Sequence, residues 1–139
     1  MKQSFILFFS AIIFFSCNNK ETGDEKKIVD NKISLKTDTT NIVKLTDTLV
    51  IYESTCRGCK YEVSTNFGVS DSLNIVKLVD IVTADNNPSD MNGGSISKTL
   101  LLVPVKPGIT NLRLYKFWTM EKTAADSARF ISYKIEVKQ

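Results

Sequence analysis

From Ile131 to Lys138 the chain alternates without a fault. Ile131, Tyr133, Ile135 and Val137 are apolar, and Ser132, Lys134, Glu136 and Lys138 between them are polar. Successive side chains of a strand point to opposite faces, so this pattern predicts an antiparallel strand with one face buried and one in water. The same period returns at Leu112 and Leu114 against Asn111 and Arg113, and at Leu49 and Ile51. Thr99 to Val105 is apolar throughout, and Asn74 to Thr83 is similar, as expected of strands covered on both faces. Pro104, Pro107-Gly108, Asn86-Asn87-Pro88 and Asn92-Gly93-Gly94-Ser95 punctuate these runs as turns. No stripe of period 3.6 is present; Thr123 to Ala128 has room for one helical turn. Strands are expected near 41–45, 48–53, 60–65, 73–82, 96–105, 110–117 and 130–138, with Ile33 to Lys36 as a short edge addition. Seven short strands in about a hundred residues predict an all-β, immunoglobulin-like antiparallel sandwich. The Cys…Trp…Cys spacing of an antibody-type domain is missing.

The first forty residues do not share this pattern. Lys2 precedes an apolar run, Phe5 to Phe15, too short for the roughly 20 residues that span a bilayer. A cation before a short apolar segment is a secretory leader. The run ends at Phe14-Phe15-Ser16-Cys17, a small residue before a cysteine, and Asn18-Asn19-Lys20-Glu21 follows. This resembles a bacterial lipoprotein signal of the looser, Bacteroidetes-like kind, with Phe14 where Leu is usual. The resemblance implies that residues 1–16 are removed and that Cys17 becomes the acylated first residue. It further implies a bacterial cell-envelope protein, lipid-anchored to the outer membrane and facing the periplasm or the outside. An ordinary cleaved signal with a chance Cys17 is the alternative. Removing Lys2 with the leader takes the net charge from +3 to +2. Residues 17–40 are polar and mixed in charge, and read as a flexible tether with a reach of roughly 25–30 Å. The folded domain is then expected over 41–139.

Composition removes several kinds of chemistry. The chain has no histidine. Ser-His-Asp and Cys-His nucleophiles, histidine bases and histidine-ligated zinc are therefore excluded. Basic and acidic residues, 18 and 15, are interspersed and form no basic stripe, so a nucleic-acid partner is not expected. No glycine-rich phosphate loop occurs, so no nucleotide cofactor is expected. No catalytic set and no metal site emerge, and the chain reads as a non-enzyme without cofactor.

Cys56-Arg57-Gly58-Cys59 is the thiol pair left when Cys17 is set aside. In an oxidising compartment Cys56 and Cys59 read as a disulfide that fixes the shape of one loop. Arg57 and Lys60 beside them keep a reactive-thiol reading open, and two thiolates without histidine are a weaker metal reading. Trp118 shares parity with Leu112 and Leu114, as a core residue would. Yet Thr119-Met120-Glu121-Lys122 leaves the strand there, and Lys116-Phe117-Trp118 is also composed like an exposed interface anchor.

The order of these places resembles the chagasin family of cysteine-protease inhibitors over about residues 41 to 139. That family has an immunoglobulin-like domain with three loops carrying Asn-Pro-Thr-Thr-Gly, Gly-x-Gly-Gly and Arg-Pro-Trp motifs. Asp47 to Ile51 looks like the strand leading into the first loop, and Thr55-Cys56-Arg57-Gly58 stands at its tip. Met91-Asn92-Gly93-Gly94 is similar to the second motif and Lys116-Phe117-Trp118 to the third. Asn-Pro and the second Thr are missing, the second loop keeps its Gly-Gly, and Lys and Phe replace Arg and Pro. The resemblance implies a papain-like cysteine protease as partner, its cleft blocked by Thr55, Arg57, Gly58, Asn92, Gly93, Gly94, Lys116, Phe117 and Trp118. The altered loops leave a second expectation, a non-inhibitory immunoglobulin-like lipoprotein that binds another envelope protein.

Overall fold

The computed structural model describes residues 31–90 and 92–139. The expected leader, Cys17 and most of the expected tether lie outside the described residues. Eight strands run in chain order: β1 (Lys32–Ser34), β2 (Thr40–Lys44), β3 (Thr48–Cys56), β4 (Asn66–Ser70), β5 (Val76–Ala84), β6 (Ser95–Pro104), β7 (Gly108–Phe117) and β8 (Phe130–Lys138). Among the described residues one short helix, α1 (Ala124–Ala128), precedes β8. One sheet has the order β1-β3-β6-β5 and the other β2-β8-β7-β4. The fold is the expected two-layer antiparallel sandwich, except that β1 and β2 run parallel to their neighbours β3 and β8.

The alternating residues meet between the sheets. Leu49, Ile51, Leu100 and Leu102 face Leu112, Leu114, Tyr133, Ile135 and Val137 in one buried cluster. Leu49 pairs with Leu102 and Ile51 with Leu100 across β3 and β6. Leu112 stands opposite Tyr133 and Leu114 opposite Ile131 across β7 and β8. Removing these faces from water is the main favourable contribution to folding.

Three expected boundaries move. Residues 60–65 are not a strand: the chain turns there, with Glu62 N–H donating to Cys59 O and Thr65 N–H to Tyr61 O, and Val63 is 93% exposed. The strand that follows is β4, which pairs with β7 from Asn66 opposite Phe117. The strand expected over 73–82 is β5, an edge strand with a bulge between Leu78 and Asp80 that leaves Val79 and Val82 exposed. Bulges and twist at an edge discourage pairing with foreign strands. The packed unit also begins before residue 41. β1 pairs with Thr48 to Val50, Leu35 is buried in the core cluster, and Leu35 N–H donates to Val50 O. One buried Leu is enough to hold this segment on the sandwich, which composition averaged over the whole tether conceals.

β1 climbs halfway up β3, and the chain then crosses to the second sheet and descends as β2. Asn41 secures the crossing. Its side chain accepts from Lys36 N–H (2.9 Å) and donates to Lys36 O (2.8 Å) and Lys134 O (3.0 Å). Above that point the upper parts of β3 and β8 have no neighbour on this side among the described residues.

Candidate functional site: the three-loop end

Strand directions decide which loops share an end. β3 finishes where β4 begins, β5 finishes where β6 begins, and β7 finishes where β8 begins. The registers put Cys56 opposite Ser95, Ala84 opposite Ser97, Asn66 opposite Phe117 and Phe130 opposite Tyr115. Loops 57–65, 85–94 and 118–129 therefore emerge together.

The first two loops are joined by Arg57. Its backbone N–H donates to Gly94 O at 3.0 Å, extending the β3–β6 ladder by one bond. Its guanidinium donates through Nε to an Asp85 carboxylate oxygen at 2.7 Å and through Nη1 to Pro88 O at 3.4 Å. Asn87 lies across the second loop, donating to Asp85 Oδ1 and to Ser95 O, both at 2.7 Å. The bonds that Asn87 donates to Asp85 from its side chain and from its backbone N–H (3.0 Å), and after them the Arg57 charge, hold the Asp85 carboxyl below the ordinary carboxylate range. Gly94 has φ +99°, and a Cβ there would meet Asn87 Oδ1 at 2.7 Å, so only glycine fits under that side chain. Cys56 and Cys59 are disulfide-bonded, closing the turn that carries Arg57 and Gly58. The Glu62 carboxylate accepts from Gly58 N–H and completes this turn.

The third loop leans on the first. Ser64 Oγ donates to Trp118 O at 2.6 Å, and the Tyr61 ring meets Trp118 edge-on with centroids 6.2 Å apart. Lys116 sits at the inner mouth, its ammonium donating to Ser54 O of the other sheet at 2.8 Å and lying 4.9 Å from the Trp118 ring centroid. Thr123 caps α1 in a capping box with Asp126, which shapes the return to β8.

Exposure separates the expected site residues. Trp118 is 43% exposed although it keeps the parity of Leu112 and Leu114, because the sandwich opens at this end. A cavity of about 500 Å³ lies beneath it, lined in part by Glu53, Lys116, Phe130 and Ile131. Gly58, Asn92 and Gly94 are exposed, and Arg57, Gly93 and Lys116 are half-buried. Two residues do not belong to the surface. Phe117 is 6% exposed on the outer face of its sheet, stacked on Tyr115 and covered by Lys122, 4.8 Å from its ring centroid. Thr55 is buried within β3, not at a loop tip, and its hydroxyl has no hydrogen-bond partner. Met91, expected in the second loop, lies outside the described residues.

The sequence reading did not single out Val63 and Met120, the latter 81% exposed, which with Tyr61 and Trp118 give this end its apolar surface. Nothing in a strand-like run marked Val63 as exposed. It also missed Asp85 and Asn87, whose signal was the adjacent Asn-Asn-Pro turn. Among the described residues no three His, Cys, Asp or Glu side chains converge as metal ligands would. Apolar side chains grouped over a frame of cross-braced loops suit binding to another protein better than catalysis.

Fold and loop end together define an immunoglobulin-like sandwich that presents three loops as one surface. No family model matches the chain, and no curated protein matches it. Among solved structures it is similar to the cysteine protease inhibitor EhICP2 from Entamoeba histolytica, with TM-score 0.55 and 18% identity, covering 77% of this chain and 96% of that one. It is also similar to amebosin, with TM-score 0.48 and 17% identity, at the same coverage. At such identity the likeness to EhICP2 is one of fold.

Proposed function

We propose that this protein inhibits a papain-like cysteine protease by seating its three-loop end in the enzyme's active-site cleft. The observation that carries this reading is the convergence of loops 57–65, 85–94 and 118–129 at one end with Trp118 exposed among them. The fold shared with EhICP2, described as a cysteine protease inhibitor, supports it. Trp118 is the anchor, because it offers a large apolar ring already steadied by Tyr61 and Lys116. The Arg57 clasp and the Cys56–Cys59 bond hold the first two loops in place before binding, which lowers the entropy lost on association. Acylation of Cys17 would keep the inhibitor at a bacterial membrane, guarding the envelope side on which it stands.

The test is inhibition of several papain-like proteases by the wild-type chain and by Trp118→Ala. The expected result is inhibition by wild type and a loss of at least about tenfold in affinity for the variant, since truncating a hot-spot residue typically costs ~2 kcal/mol. Absence of inhibition across the panel would reject the reading and leave a non-inhibitory binding module of the envelope.

A further inference from the structure

The loop end carries a group whose chemistry goes beyond shaping the loop: a disulfide in the open. Cys56 is exposed at the last residue of β3 and Cys59 is half-buried in the turn that follows. The core does not depend on the bond. It closes a ring of four residues at the rim, and the two sheets are packed without it. Its surroundings are nearly balanced in charge. Arg57 is paired with Asp85, the Glu62 carboxylate is held by Gly58 N–H, and Lys60 stands beside Cys59. A thiolate formed at Cys59 therefore meets no uncompensated carboxylate.

We propose that the Cys56–Cys59 disulfide traps the catalytic thiolate of the target protease by thiol–disulfide exchange. This inference rests on the inhibitor reading above, because only a cysteine protease brings a thiolate to this end. The enzyme's sulfur attacks Cys56 Sγ, which belongs to the more exposed residue of the pair. The Cys56–Cys59 bond breaks, a bond forms between the enzyme sulfur and Cys56 Sγ, and Cys59 leaves as a thiolate. The catalytic cysteine is oxidised to a mixed disulfide and Cys59 is reduced, so no further oxidant is required. Catalytic thiols of papain-like enzymes are ionised well below neutral pH, so the attacking species is present throughout the working range. Cys59 remains tethered beside the new bond and can attack Cys56 Sγ in turn, returning free enzyme. The trap is thus reversible, and its population depends on how firmly the loops hold the enzyme sulfur near Cys56.

The experiment mixes the oxidised full chain, in detergent, with a papain-like protease that has been reduced and freed of reductant. Acid quenching and alkylation of free thiols precede mass spectrometry under non-reducing conditions. The expected product has the summed mass of the two proteins, joins Cys56 to the catalytic cysteine, and is dissociated by dithiothreitol. A protease carboxymethylated at its catalytic cysteine should give none. The double variant Cys56→Ser, Cys59→Ser should form no adduct; because it also loses the bond that steadies the first loop, its inhibition should weaken by up to roughly tenfold without being abolished, the remaining contacts being kept. Inhibition by wild type with no adduct overturns the trap and leaves the inhibitor reading standing. An adduct that forms as fast with glutathione or with denatured protease overturns it too, since docking would then play no part. Neither inhibition nor adduct removes both.

Discussion

Phe117 and Trp118 are adjacent in sequence and separated by a sheet in space. Phe117 lies under Lys122 on the outer face, and Trp118 extends the inner face beyond the point where the sheets part. Phe117→Ala should destabilise the fold by about 3 kcal/mol, seen as a marked fall in the thermal midpoint. Trp118→Ala should cost no more than about 1 kcal/mol of stability and leave that midpoint near the wild-type one, because the ring is nearly half in water. Asp71 shows the opposite economy at the far end. Burial raises its pKa, but Thr110 Oγ1–H (2.5 Å) and the N–H groups of Val76 (2.8 Å), Leu73 (2.9 Å) and Ile75 (2.6 Å) donate to its carboxylate and hold it below the ordinary range. A carboxyl depressed in the folded state stabilises fully above its unfolded pKa of about 4, and that stability is lost as pH falls through the folded value. Asp71→Ala strands those donors, of which Thr110 is buried, and should cost about 2 kcal/mol in urea melts at pH 7. The acid-side fall in stability should be shallower in this variant than in wild type.

Among the elements, the loops at the three-loop end are braced mainly to one another by exposed bonds, and their order should be separable from that of the sheets. Arg57→Ala removes the Asp85 ion pair and the bond to Pro88 O, but keeps the backbone bond to Gly94 O. Hydrogen exchange in 85–94 should accelerate while exchange in β6 and β7 stays unchanged, since surface ion pairs add little to global stability. The Asp85 carboxyl is depressed by the Asn87 bonds and by Arg57, so in wild type the same loosening should follow as pH falls through its folded pKa. An equal acceleration throughout the sandwich would contradict this separation. Strand existence was legible from alternation at β3, β7 and β8, where one face is buried and most of the other is wet, Val50 and Phe117 excepted. The turn at 60–64 was not, because Tyr61, Val63 and Thr65 alternate as a strand would and nothing local says that Val63 points into water.

For the whole molecule, two questions concern the N-terminal part. A chain beginning at Thr40 lacks β1 and the buried Leu35, and should be at least about 2 kcal/mol less stable in urea than one beginning at Asn31. Equal midpoints would return residues 31–39 to the tether. Cys17→Ser should move the product from the membrane to the soluble fraction on cell fractionation, and unchanged partition would argue against acylation. What the sequence determined by itself was local and periodic. Alternation defined a two-layer sandwich because the strand period is two, and the missing histidine removed whole classes of catalysis. The loops were named in their order along the chain for the same reason, since turn residues mark the chain where it bends. Tertiary structure alone decided that three distant loops share an end, because that follows from strand direction and register and not from any one segment. It alone buried Thr55 between the sheets and Phe117 beneath Lys122 on the outer face while leaving Trp118 in water, because burial at a strand end depends on what the rest of the chain lays over each face there.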